Sequence, residues 1–359
     1  MAEPNLFPPD FSSYLAQAQS PLFSIIPPEI RGEIFTFALA DFEDTDRPYQ
    51  KDTYWARPGY HAPRRSCTEL LRTCKRVYAE TWHLPFALSE HAFYLGHSDR
   101  APQGSREMHS FQRLLHLMHT FHPRVEMGQL RIFPQMFKLE QTDLLQQILD
   151  MKRFHPISVT VTIRYTDWWW WETDFPLEID AAWVNKLILP ESVTKFAMDF
   201  ESVERRKGEI DYIASEAALR WRFRRADGVT LTHRRSEVSK WTGSSILGRE
   251  QWVRDEARPG ELDYHVVTVT WQPARSGLSL NEPLGDCPSL KIPDDFQRPP
   301  VTHRGAPSIL IQGNNSSRNH YPFMLDYDTE DPEEYDYGDG DEDEDENVEE
   351  DEEVEARLV

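Results

Sequence analysis

The sequence predicts an α/β protein, with α+β as the alternative. A helical N-terminal segment packs on a mixed sheet with flanking helices, and a disordered acidic tail follows. Three observations carry this. Strand-like and helix-like periodicities alternate from about residue 129 to 200. Two helical stretches precede them, at 27–39 and 66–82. The third is charge: residues 326–359 hold 20 acidic residues and one arginine, a net of −19 out of the chain's −22.

Taken in order, residues 1–19 are polar and expected to be disordered. Pro27 and Pro28 open a helix, since proline suits the first turn and Glu29 suits its positive end. Ile30, Ile34, Phe37 and Ala38 recur at helical spacing. Residues 40–65 form an irregular insert rich in Asp, Arg, Pro and Tyr. Ser66 and Glu69 are spaced as a capping box for the second helix. Leu70, Leu71, Cys74, Val77, Tyr78 and Trp82 form its stripe, and Pro85 stops it. A short strand is expected at 91–96, closing a first segment at 20–96.

An α/β domain is expected over 97–273. Its helices are read at 107–121, 139–152, 179–189 and 209–225, and its strands at 129–133, 157–165, 193–200, 229–232 and 264–271. The strand–helix–strand order argues for βαβ units in a partly parallel sheet. Residues 274–325 carry seven prolines and read as a linker or a chain lying along the surface. Residues 326–359 cannot bury enough apolar surface to fold, so a disordered acidic tail is expected there.

The two N-terminal stretches together resemble the F-box. That motif opens with a Leu-Pro-Pro-Glu-Ile-type helix, here Ile26, Pro27, Pro28, Glu29 and Ile30, with Ile34 and Phe35 following. It continues with a Leu-x-x-Cys-Lys-Arg-type helix, here Leu71, Cys74, Lys75 and Arg76, then Val77 and Tyr78. The likeness extends to a set of uncharacterised fungal proteins with F-box-like starts, in which a Leu-Pro-Phe piece comes third; Leu84, Pro85 and Phe86 supply it. The resemblance implies a non-enzymatic substrate-recognition adaptor of a cullin-type ubiquitin ligase. Pro27, Pro28, Ile30, Ile34, Phe35, Leu71, Cys74, Val77 and Tyr78 would meet the ligase's small adaptor subunit, and the α/β domain would hold a target. The insert at 40–65 departs from the compact F-box. The alternative is a scaffold or interaction domain in which these helices are internal structure. Exposed apolar side chains on the first helix fit the adaptor reading, and burial of Ile30, Ile34, Phe35 and Phe37 fits the scaffold.

Trp168, Trp169, Trp170 and Trp171 form a candidate target-binding platform for a peptide, sugar or base. The competing reading buries alternate rings against the sheet. Asp167, Glu172 and Asp174 offer a remote hydrolase alternative, though their spacing distinguishes no acid–base pair. His109, His116, His119 and His122 lack a further zinc ligand, so no metal site is expected. No nucleotide-binding loop or nucleophile motif is present, and neither a catalytic residue nor a cofactor is expected. Arg220, Arg222, Arg224, Arg225, Arg234 and Arg235 surround Trp221 and Phe223, but the nearly neutral remainder of the chain argues against nucleic acid. Three scattered cysteines, Cys67, Cys74 and Cys287, suit a reducing compartment, cytoplasmic or nuclear. No stretch has the length or hydropathy expected of a membrane span or secretory signal.

Overall fold

A computed structural model of the chain describes residues 14–105, 107–121, 127–274, 285–299 and 306–311. The expected acidic tail, most of the expected disordered N-terminus and much of the proline-rich segment lie outside these residues.

The fold is mixed α/β around one eight-stranded sheet. Its strands are β1 (Glu90–Leu95), β2 (Met127–Pro134), β3 (Pro156–Ile163), β4 (Ile188–Leu189), β5 (Lys195–Val203), β6 (Phe223–Arg225), β7 (Thr230–Ser244) and β8 (Glu261–Pro273). The order is β1-β2-β3-β5-β8-β7-β6-β4. β1, β2, β3 and β5 are parallel neighbours. β5, β8, β7 and β6 are antiparallel neighbours, and β4 closes the far edge parallel to β6. The sheet therefore starts at Glu90, inside the segment expected to be F-box-like.

After a single helical turn at Pro21–Ser24, the helices are α1 (Pro28–Leu39), α2 (Lys75–Thr81), α3 (Leu84–Leu88), α4 (Met108–Phe121), α5 (Met136–Gln141), α6 (Leu144–Leu149), α7 (Ala182–Lys186) and α8 (Lys207–Arg220). Parallel strands need crossovers. α4 supplies the one from β1 to β2, and α5 with α6 the one from β2 to β3. Successive strand residues face opposite ways. Val159, Val161 and Ile163 of β3 share a face with Phe196, Met198 and Phe200 of β5 and with Val267, Val269 and Trp271 of β8. All are buried, and they form one core with Phe111 and Leu115 of α4 and Ile210, Ile213 and Ala217 of α8.

The opposite face carries a buried polar cluster. Arg131 of β2 bonds Thr162 of β3 at 2.8 Å and Asp199 of β5 at 2.6 Å, and Thr268 of β8 donates to Asp199 at 2.7 Å. Burial by itself would raise the Asp199 pKa, but Arg131, Arg57 and the threonine hydrogen bonds outweigh it and hold the carboxyl below its usual range.

Several expected elements differ. The helix expected at 66–82 is a strand end at Arg64–Ser66, a 3-10 turn at Glu69–Arg72 and then α2. The Ser66–Glu69 capping box does not form. Glu69 accepts from the Cys67 thiol, and the Cys74 Sγ caps α2 by accepting from Val77 N at 3.5 Å. Leu84, Pro85 and Phe86 begin a short helix. The helix expected at 139–152 breaks at Thr142 into α5 and α6. The one expected at 179–189 is only the five-residue α7, flanked by strand pairings at both ends.

Candidate partner-binding surfaces

α1 has two faces. Arg31, Phe35 and Leu39, spaced by four, point inward and are buried. Ile30 (53% exposed), Ile34 (41%) and Phe37 (81%) point out. Arg31 fixes the rotation of the helix. Its Nε donates to Glu80 Oε2 of α2 at 3.0 Å, and its Nη1 donates to the Ile26 carbonyl. Pro27 and Pro28 are exposed at the helix start. Of the residues expected to meet an adaptor, Ile30, Ile34, Pro27 and Pro28 thus share an open surface. Phe35 is 3% exposed and belongs to the core. Val77 is likewise buried, and Leu71, Cys74 and Tyr78 are half-buried. Isolated apolar residues on a surface need no explanation, but a clustered apolar helix face marks an interaction site.

The tryptophan run follows β3 and is anchored at both ends. Arg164 and Asp167 form a buried pair at 2.6 Å that closes a 3-10 turn at Tyr165–Asp167. The Tyr165 hydroxyl donates to Asp255 Oδ2 at 2.7 Å. Trp168 is buried and donates from Nε1 to the Glu201 carbonyl at 2.8 Å. Trp171 is buried against Trp252, with ring centres 4.2 Å apart. Arg254 holds the Trp171 and Glu172 carbonyls, and Arg205 bridges Asp174 and Asp255 at 2.6 Å each. Asp255 is the hub. Burial would raise its pKa, but the Arg254 hydrogen bond and the Arg254 and Arg205 charges hold it below the usual range.

Only the middle of the run is therefore free to meet a partner. Trp168 and Trp171 are core, which corrects the expectation of a four-ring platform. Their i, i+3 spacing reflects a turn rather than strand alternation. Trp169 is half-buried and donates from Nε1 to Glu140 Oε2 at 2.5 Å. Trp170 is 45% exposed and sits at φ +53°, a left-handed conformation a tryptophan rarely adopts. An open cleft of about 400 Å³ lies between them and Glu178, Asp180 and Lys291. No spacing signals these partners, because Glu178–Ile179 and Leu290–Lys291 meet only through an antiparallel strand pair distant in sequence. Glu140 also accepts from Asp180 N at 2.7 Å. Burial pushes its pKa up, and the nearby Asp180 and Glu178 charges push the same way.

The other candidates dissolve into structure. Asp167 is paired with Arg164, and Asp174 with Arg205. Trp221 and Phe223 are fully buried, so they offer no stacking surface beside the arginines. Arg220 pairs with Glu216, Arg225 with Asp227 and Arg235 with Glu237. His122 lies outside the described residues, as does the side chain of His119. Among the described residues no group of His, Cys, Asp or Glu is arranged to hold a metal ion, and no helix is long and apolar enough to cross a membrane.

The chain matches no protein-family model, no curated protein and no solved structure. What the fold and surfaces define is a mixed α/β domain with two outward-facing features, the apolar α1 face and the Trp170 cleft, where an indole meets carboxylates.

Proposed function

We propose that this protein is a non-enzymatic interaction module in which α1 docks a protein partner, the small adaptor subunit of a cullin-type ubiquitin ligase, and the Trp170 end holds a target. The observation that carries the docking surface is the outward face of α1: Ile30, Ile34 and Phe37 are exposed while Phe35 and Leu39 anchor the same helix. A partner burying these three side chains would gain roughly 1.5–3 kcal/mol for each fully covered. The identity of the partner rests on the F-box resemblance of Pro27–Ile30 and Leu71–Tyr78. The second reading is a stand-alone scaffold. It is favoured by the burial of Val77 and Thr81 and by the break-up of the second F-box-like stretch into a turn and a seven-residue helix.

Isothermal titration of the full chain with the purified adaptor subunit separates them. An Ile30→Asp/Ile34→Asp variant should keep its circular dichroism and lose binding, since both side chains lie on the surface. No binding by the wild-type chain refutes the adaptor reading and leaves the scaffold. Unfolding of the variant also favours the scaffold, because it would show that these isoleucines are covered.

A further inference from the structure

We infer that the cleft beside Trp170 receives a positively charged side chain, arginine or lysine, presented by an extended segment of a partner polypeptide. This rests on reading the tryptophan run as the target-holding end; it is independent of what α1 binds.

Two features of different kinds converge here. The first is an open aromatic surface. Trp170 is half exposed, and among the described residues nothing stacks on its ring. Its neighbours Trp168 and Trp171 are locked into the core, so Trp170 is held out by a rigid base. An indole is the best aromatic face for a cation. The second is charge. Glu140, Glu178 and Asp180 line the same cleft against one cation, Lys291, which pairs with Glu178 at 3.0 Å. Lys291 is itself largely exposed, so that pair is weak and exchangeable. Glu140 has both carboxylate oxygens engaged, by Trp169 Nε1 and Asp180 N; burial raises its pKa, and the Asp180 and Glu178 charges crowded beside it push the same way. A cation entering the cleft would relieve that crowding while lying against the indole. A neutral saccharide would stack on Trp170 but leave the cleft's excess of negative charge, three carboxylates against one lysine, unchanged. The volume, about 400 Å³, is near the low end of small-molecule pockets and suits one or two side chains rather than a large cofactor.

The test is fluorescence anisotropy of the full chain with two labelled Gly/Ser nonapeptides, one carrying two arginines and the other two glutamines, at physiological salt. The arginine peptide should bind more tightly. Trp170→Ala should weaken it about 2- to 30-fold, the range for one cation–indole contact. Lys291→Ala should strengthen it about two- to fivefold, because it removes the competing cation at an exposed site. A general loss of structure would not produce a gain. The acidic residues at 326–359 attract any basic peptide, but equally in every variant. Equal binding of the two peptides, an unchanged affinity in Trp170→Ala, or a weaker one in Lys291→Ala would each overturn the proposal. Adaptor binding with failure here would leave the α1 reading intact.

Discussion

Two phenylalanines two residues apart on α1 should respond to truncation in opposite ways. Phe35 is 3% exposed and Phe37 is 81% exposed. A buried aromatic side chain removes about 150–250 Å² from water. At about 25 cal/mol per Å² that is roughly 4–6 kcal/mol, an upper bound because unfolded chains are partly compact. Large-to-small changes of this kind cost about 3–5 kcal/mol. Phe35→Ala should therefore destabilise by about that amount. Phe37→Ala removes almost no buried surface and exchanges a poor helix former for the best one, so its effect should stay within about 0.5 kcal/mol. Urea unfolding followed by tryptophan fluorescence reads both, with the slope checked for constancy. Binding to the adaptor subunit should show the reverse order, with Phe37→Ala weakening it in a fully stable protein. A Phe37→Ala cost comparable to that of Phe35→Ala would refute the two-faced description of α1 and with it the docking surface.

Three further outcomes follow from the interior. Arg57→Met leaves Glu201 buried without its 3.0 Å partner and should cost about 3–5 kcal/mol near neutral pH. Burial already pushes the Glu201 pKa up, with Arg57 opposing. A carboxyl raised above its unfolded value of about 4.3 favours folding while protonated, so the cost should shrink as pH falls from neutral through the raised folded value in parallel denaturation curves. Asp255→Asn strips the carboxylate that faces Arg205 and Arg254 and should cost about 3 kcal/mol at pH 7. Since the folded pKa of Asp255 is depressed, its contribution is present above about pH 3.9 and lost as pH falls through the lower folded value. The variant should accordingly lose less stability than wild type across the acid limb of a melting-temperature profile. Gly243→Ala places a Cβ 2.6 Å from the Trp241 ring and 3.0 Å from Tyr264. Those rings stack at 4.0 Å, so the substitution should cost about 1–3 kcal/mol and alter the near-ultraviolet circular dichroism.

Legibility in the sequence followed how locally each element is determined. β3, β5 and β8 were readable because Val159, Val161 and Ile163, and their counterparts, bury one face of a pleat. α8 was readable from Ile210, Ile213 and Ala217. β7 runs for 15 residues, yet only its start at 229–232 carried a strand signal. Residues 233–240 are exposed, so no alternation marks them, and their extension comes from pairing with β8. The helical pattern over 179–189 misled for a related reason. Its ends are claimed by strands at 290–291 and 224–225, partners that no local pattern reveals. The candidate surfaces divide in the same way. The α1 stripe was visible, but which of Phe35 and Phe37 faces in depends on the Arg31–Glu80 contact. The carboxylates around Trp170 come from two separate segments, Glu140 on one and Glu178 with Asp180 on the other, and no spacing linked them to the tryptophan.

The insert between the two F-box-like stretches was the main departure from that motif's spacing, and its structure explains how a long interruption is accommodated. Asp41–Glu43 pairs antiparallel with Arg64–Ser66, so the chain leaves and returns at one place. Between them it crosses the polar face of the sheet. Tyr60 packs edge-on against Phe133, with ring centres 5.0 Å apart, and Arg57 reaches Glu201. Residues 20–39 and 75–88 are thereby brought together despite their separation in sequence, and Arg31 joins α1 to α2. The insert is thus a brace between the N-terminal helices and the sheet. The outward face of α1 is left open because what holds this helix, the Arg31 pair and the buried Phe35 and Leu39, all lies on its other side.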